Sequence, residues 1–107
     1  MYNELDLAYI AGLFDGEGHC RIGRYQATKN GKVYYRAIAN ITNTDKSVLE
    51  FVQKLYGLGS IQTSDFRPPK KIVYRWVLSH GQARQFLKSI QPYARIKREQ
   101  IAKVLAD

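Results

Sequence analysis

The sequence predicts an α+β fold in which helices lie on one face of a mostly antiparallel sheet. Two patterns carry that prediction. Segments with a helical apolar period and segments that alternate residue by residue follow one another as helix, two strands, helix, two strands and two helices. No linker or low-complexity tract interrupts them, an order that favours strands paired antiparallel and covered by helices. Size agrees: 107 residues, 45% of them hydrophobic, can build one compact domain over residues 1–107 and are too few for two.

The first helix opens at Asn3, with Asp6 in the first turn, where a carboxylate suits the positive helix end. Leu7, Ile10, Leu13 and Phe14 form a bulky stripe at helical spacing, the mark of a face laid on its own core. A second stripe, Ala8, Ala11, Gly12 and Gly16, is made of small residues. Because an interior glycine costs a helix roughly 1 kcal/mol relative to alanine, two of them four apart point to close approach by another helix. Asp15 and Glu17 follow where helix carbonyls point outward, an unfavourable place for negative charge unless something offsets it.

Residues 19–26 read as a strand, Cys20 and Ile22 opposing His19, Arg21, Gly23 and Tyr25. Asn30-Gly31 marks the hairpin turn into residues 33–43, with Tyr35, Ala37, Ala39 and Ile41 on one side and Tyr34, Arg36, Ile38 and Asn40 on the other. Thr44 and Asp45 open a helix over residues 46–56, whose apolar positions are Val48, Leu49, Val52 and Leu55, with Gly57 past its end. Residues 59–65 read as a short strand, 67–70 as a proline-rich loop and 71–79 as a strand. In that strand Ile72, Tyr74, Trp76 and Leu78 face the core, and Lys71, Val73 and Arg75 face away. A helix after Gly81 carries Ala83, Phe86, Leu87 and Ile90 and stops at Gln91-Pro92. The last helix, residues 93–106, is expected to turn Ile96, Ile101, Val104 and Leu105 inward and Lys97, Arg98 and Lys103 outward.

A formal charge of +8 points to a polyanionic partner, nucleic acid before membrane, since no apolar run approaches the ~20 residues of a spanning helix. The N-terminus lacks a secretory pattern, and Cys20 as sole cysteine permits no internal disulfide, so the expected location is intracellular, a prokaryotic cytoplasm or an organelle interior. One Cys with His19 and His80 excludes a zinc finger. The polar sheet face collects His19, Arg21, Tyr25, Tyr34, Arg36, Asn40, Gln62, Ser64, Lys71 and Arg75, and Lys29, Lys32, Arg67 and Lys70 extend it into the loops. Such interleaved basic, amide and aromatic groups suit phosphates and base edges in a major groove, which admits a β-ribbon, although a merely solvated face has the same pattern.

The stretch Ile10-Ala11-Gly12-Leu13-Phe14-Asp15-Gly16-Glu17-Gly18 resembles the signature of the LAGLIDADG homing endonucleases, with Ile10 in the first place, Phe14 in the fifth and Glu17 as the second acid. The resemblance implies an αββαββα unit whose saddle-shaped sheet sits over double-stranded DNA, and it covers nearly the whole chain. It further implies that signature helices of two copies meet through Ala8, Ala11, Gly12, Asp15 and Gly16, and that Glu17 with the carbonyl of Gly16 binds a divalent cation, Mg2+ or Mn2+. Lys97 matches the family lysine after the closing Pro-aromatic element, here Pro92-Tyr93, which supports the attacking water or transition-state charge. Asn43 stands at the place of an amide that positions water, and Lys46 at the basic rim. A single copy of the signature implies a homodimer on a roughly palindromic site, with neither a small-molecule cofactor nor a membrane partner. The expected activity is site-specific cleavage of both DNA strands. A non-cleaving LAGLIDADG-like binder, an intron-splicing cofactor (maturase) or transcription regulator, fits the same residues, as does a degenerate half-domain that only folds.

Overall fold

The computed structural model describes residues 2–64 and 72–106, and its elements follow the predicted order. Helix α1 (Glu4–Glu17) begins where Asn3, in an extended conformation, accepts the N–H of Asp6 at 2.8 Å. Ile10, Ala11 and Phe14 are its buried residues. Ala11 therefore leaves the expected outward stripe: it lies in this chain's own core, between Ile10 and the Phe14 turn, while Ala8, Gly12 and Gly16 stay exposed. The helix also runs further than expected, with Glu17 as its last residue. Gly18 caps it in an extended conformation, its N–H donating to the Phe14 carbonyl, and the Phe14 ring occupies the space a Cβ would need there.

Strands β1 (Gly18–Gln26) and β2 (Val33–Asn43) form a hairpin in which Gly18 pairs with Ile41 and Gln26 with Val33. The Gln26 amide donates to the carbonyls of Lys29 (3.1 Å) and Gly31 (2.8 Å), tying the turn to the strand that enters it. Helix α2 (Lys46–Tyr56) is capped by Asp45, whose carboxylate accepts the Ser47 N–H, and is closed by Gly57 in the left-handed region, φ 67°. Strands β3 (Ser60–Thr63) and β4 (Tyr74–Ser79) complete an antiparallel sheet of order β1-β2-β4-β3. Ile72 lies outside β4 and is 47% exposed, not inward as its parity with Trp76 suggested. Arg67, Lys70 and Lys71, the proline-rich loop and the Asp65 end of the third strand lie outside the described residues.

Helices α3 (His80–Ile90) and α4 (Arg98–Ala106) cover the sheet with α1 and α2. The core between the layers is aromatic. Trp76 meets Phe86 edge-on at 4.9 Å between ring centroids, Phe86 meets Phe14 at 5.7 Å and Tyr56 at 5.2 Å, and the Trp76 indole N–H donates to the Leu58 carbonyl at 3.0 Å. Tyr35 departs from its parity: it shares the helix-facing side of β2 with Ala37 but is 69% exposed, because the hairpin tip reaches beyond the helical layer.

The last helix starts at Arg98, five residues later than the apolar period indicated, and Ile96 is 78% exposed instead of inward. The reason lies in Asp15. Its carboxylate accepts the backbone N–H groups of Arg95 (2.8 Å) and Lys97 (3.0 Å), holding residues 95–97 in turns against the end of α1. In return the Lys97 ammonium, expected outside, is part-buried and donates to the carbonyls of Phe14 (3.2 Å) and Asp15 (3.1 Å). Burial raises the Asp15 pKa, but the N–H groups of Arg95, Lys97 and Ile96 together with the Lys97 charge outweigh it, so the net shift is below the ordinary 3.8. A carboxylate whose pKa is lowered by folding contributes stability that is full above its unfolded pKa and lost as pH falls through the folded one. Asp15→Asn should therefore cost ~1 to 3 kcal/mol at neutral pH. Thermal melts of both proteins should show the gap constant above about pH 5 and closing below about pH 4; a gap independent of pH would mean the carboxylate charge contributes nothing.

Candidate nucleic-acid interface

The strand register sorts the sheet face turned away from the helices into rows. His19, Asn40, Val77 and Ser60 lie across one row, Arg21, Ile38 and Ser79 across the next, and Gly23 and Arg36 across a third. Tyr25 pairs with Tyr34 toward the hairpin tip, and Thr42, Arg75 and Gln62 line the opposite end. None of the described strand residues is Asp or Glu. The face is thus cationic and acid-free over its whole length, a field that concentrates polyanions.

Most of the sequence-predicted face residues are brought together here. Arg36 stacks over the Tyr25 ring, its guanidinium carbon 4.4 Å from the centroid, and its Nη1 lies 3.1 Å from the His80 Nε2. Lys32 sits 5.5 Å over Tyr34. Gln62, Ser64 and Arg75 line a cleft of about 200 Å³ with Thr63 and Val73. Lys29 belongs to the turn clasped by Gln26, at the far end of the hairpin. Thr42, which the strand reading passed over, belongs to the face by its parity with Asn40 and its pairing with Arg75. Arg24 and Tyr35, on the reverse of the hairpin tip, are exposed where parity alone placed them against the core.

The expected chemical residues gather at one end of this face. Glu17, exposed, ends α1 immediately before Gly18, the residue paired with Ile41, and Asn43 lies two residues beyond Ile41 on the neighbouring strand. The Asn43 side-chain oxygen accepts the Asp45 N–H at 2.8 Å, so its carbonyl is engaged in the turn that opens α2. Lys46 lies 5.7 Å over the Tyr74 ring, which belongs to the residue paired with Asn43. Lys97, through its bonds to the carbonyls of Phe14 and Asp15, brings a positive charge to the end of α1. Cys20 stands nearby but is chemically quiet: burial pushes its thiol pKa up to about 11 despite the opposing Lys97 charge.

Asp15 and Glu17 have separate roles in this arrangement. The Asp15 oxygens are spent on backbone N–H groups inside the chain, whereas Glu17, next after Gly16, is exposed. A carboxylate and a carbonyl are hard oxygen donors that fit a divalent cation in kind, but one chain contributes too few: no group of three or more His, Cys, Asp or Glu forms among the described residues. Outward from α1, Gly12 and Gly16 face open space, with nothing within 4 Å of an added Cβ. Among the described residues no helix is long and apolar enough to cross a membrane.

No curated protein matches the sequence. Among solved structures, the chain is similar to the homing endonuclease I-CvuI in complex with the I-CreI target in 2 mM Mg, DNA not cleaved, with a TM-score of 0.78 and 23% identity over 96% of this chain and 65% of that one. It is similar also to the archaeal intron-encoded homing endonuclease I-Vdi141I complexed with DNA (TM-score 0.75, 20% identity, 94% of this chain and 65% of that one). A third likeness is to the I-SmaMI LAGLIDADG homing endonuclease bound to cleaved DNA (0.75, 17% identity, 99% and 37%). At these identities the likeness is one of fold, and the chain spans just under two thirds of the length of the first two. The sequence itself matches the LAGLIDADG-like domain over residues 4–91, from the first residue of α1 to just past the last residue of α3. The chain belongs to the LAGLIDADG-like family.

Proposed function

We propose that this chain is a homodimeric, metal-dependent, site-specific DNA endonuclease. The observation that carries the reading is the position of Glu17: an exposed carboxylate on the last residue of α1, at the margin of an acid-free cationic sheet and on the helix whose outer face is open at Gly12 and Gly16. Several solved structures of the same fold are complexes with a DNA target, two of them described with Mg or Ca present. The proposed substrate is a long, roughly palindromic duplex, each sheet covering one half-site.

In this reading Ala8, Gly12 and Gly16 let two α1 helices approach, so that each chain brings a Glu17 to the same centre. Asp15 supports that surface from within, through its bonds to residues 95–97. Glu17 and the Gly16 carbonyl of both copies would together hold the divalent cation, which supplies Lewis acidity and an activated water for in-line displacement. Lys97 places an ammonium beside the end of α1, where it offsets anionic charge accumulating at a scissile phosphate. The Asn43 amide and Lys46 stand at the same end of the sheet, within the proposed path of the phosphate backbone. Along the sheet, Arg21, Arg36 and Arg75 with His19, Asn40 and Gln62 face the groove, and Tyr25, Tyr34, Lys29 and Lys32 carry the contact to the outer base pairs. Ser64 lines the same cleft as Gln62 and Arg75, and Arg67, Lys70 and Lys71 are proposed phosphate contacts on their charge alone.

Three measurements test the reading. A Cβ at Gly12 meets nothing within the chain, so Gly12→Leu should keep the parent's circular dichroism while the dimer is lost in sedimentation, because side chains wedged into a tight helix contact cost ~1 to 3 kcal/mol or more. An unchanged dimer would move the interface elsewhere.

Affinity for duplex should fall steeply with salt. The log–log slope should be several units for the dimer, about 0.9 per phosphate neutralised, and a flat dependence would point to a protein partner.

Glu17→Gln keeps shape but removes the charge that holds a cation. Cleavage of a duplex selected from a randomised library should drop by roughly three or more orders of magnitude in magnesium, while binding in calcium persists. Intact cleavage would remove Glu17 from the active site. A parent that binds a duplex and never cuts it would favour the non-cleaving binder.

A further inference from the structure

His80 is the one non-glycine residue with a positive φ among the described residues. Its φ of 55° lies in the left-handed region, where a non-glycine residue is strained, and Gly81 stands one position away from where the backbone asks for glycine. Regular alternation in β4 would place His80 on the buried side with Leu78, since Ser79 pairs with Ile38 and the next position falls opposite the buried Ala37. The left-handed turn takes the residue off that side. It leaves the imidazole exposed, with Nε2 3.1 Å from the Arg36 Nη1.

Arg36 is thereby held from two directions. The Tyr25 ring lies under its guanidinium at 4.4 Å and the imidazole of His80 lies at its edge. A guanidinium has only donors, so the Nε2 of His80 must accept, which requires a neutral imidazole with its proton on Nδ1. Flexible arginines lose rotamer freedom when they bind, and one already clamped loses less and presents its donor fork in a fixed plane.

We propose that His80 is a positioning residue that fixes Arg36 for reading a base edge in the major groove, and so sets sequence preference at the positions Arg36 contacts. This rests on the DNA-binding reading above. His80 itself touches no base in this assignment. The strained backbone at the β4–α3 junction serves to aim its ring at Arg36.

One arm of the test needs no DNA. The 15N shifts of the imidazole in the free protein should report the Nδ1–H tautomer at neutral pH, and the Arg36 side-chain signals should lose their Tyr25 ring-current displacement in His80→Gly. The Nε2–H tautomer, or an unchanged Arg36 signal in the variant, overturns the proposal. Glycine relieves the left-handed backbone, so the variant should melt at or above the parent temperature, which a purely structural role for His80 would not give.

The second arm compares parent, His80→Gly, Arg36→Ala and the double variant for binding in calcium to single-base-pair variants of the duplex selected by the parent. Arg36→Ala should lose roughly 5- to 100-fold of discrimination at particular positions. His80→Gly should lose about tenfold at those same positions and nowhere else, and the double variant should lose no more than Arg36→Ala alone. A parent that enriches no duplex overturns the DNA-binding reading and this role with it. A parent that enriches a site while His80→Gly keeps the Arg36-dependent preference overturns this role alone.

Discussion

The exchange between Asp15 and Lys97 is the interaction on which the other end-of-helix features depend. Helix α1 ends with two acids in its last turn and no base there, so its negative pole is left to be neutralised from elsewhere in the chain. Lys97 does this from about 80 residues away by donating to the carbonyls of Phe14 and Asp15. Asp15 meanwhile satisfies backbone donors of the segment that delivers Lys97. Each partner thus stabilises the position of the other at the end of α1, beside Glu17.

The same joint explains why two carboxylates two residues apart behave differently. Asp15 points back into the chain, its oxygens bonded to backbone N–H groups, and its pKa is lowered on balance. Glu17 emerges on the other side of the last turn, exposed at the start of β1. Gly18 makes this junction possible, since Phe14 fills the space above it and a side chain there would displace the ring from the aromatic core. A packing constraint of the core therefore sets the geometry of the candidate active site.

Much of this was legible in the sequence, for a physical reason. Where helices cover β1 and β2 the alternation holds, and Cys20, Ala37, Ala39 and Ile41 are buried as their parity required. The caps at Asn3 and Asp45 and the buried set Ala83, Phe86, Leu87 and Ile90 followed equally from local rules. What was illegible arises from contacts distant in sequence. No local pattern announces that Asp15 will recruit the N–H groups of residues 95–97, so the apolar period ran α4 back to Tyr93 and turned Ile96 inward. Nor does parity reveal that Tyr35 overhangs the helices. Ala11 was illegible for another reason: small residues suit a tight contact inside the chain as well as one between chains, and here α1 uses Ala11 against its own core.

The removal of Ala11 from the outer face narrows the open surface of α1 without weakening the case for a helix contact. Ala8, Gly12 and Gly16 remain exposed at spacings of four, which on a helix keep to one side. Glycine at Gly12 and Gly16 has no packing reason within the chain, because a Cβ at either would meet nothing. Gly12, in the helix interior, costs roughly 1 kcal/mol relative to alanine, and Gly16 in the last turn adds less. A second backbone on the open side would offset that cost. The proposed assembly thus accounts for a destabilising choice that the isolated chain does not explain. It also places Glu17, one residue beyond Gly16, where two copies of the same helix end would meet.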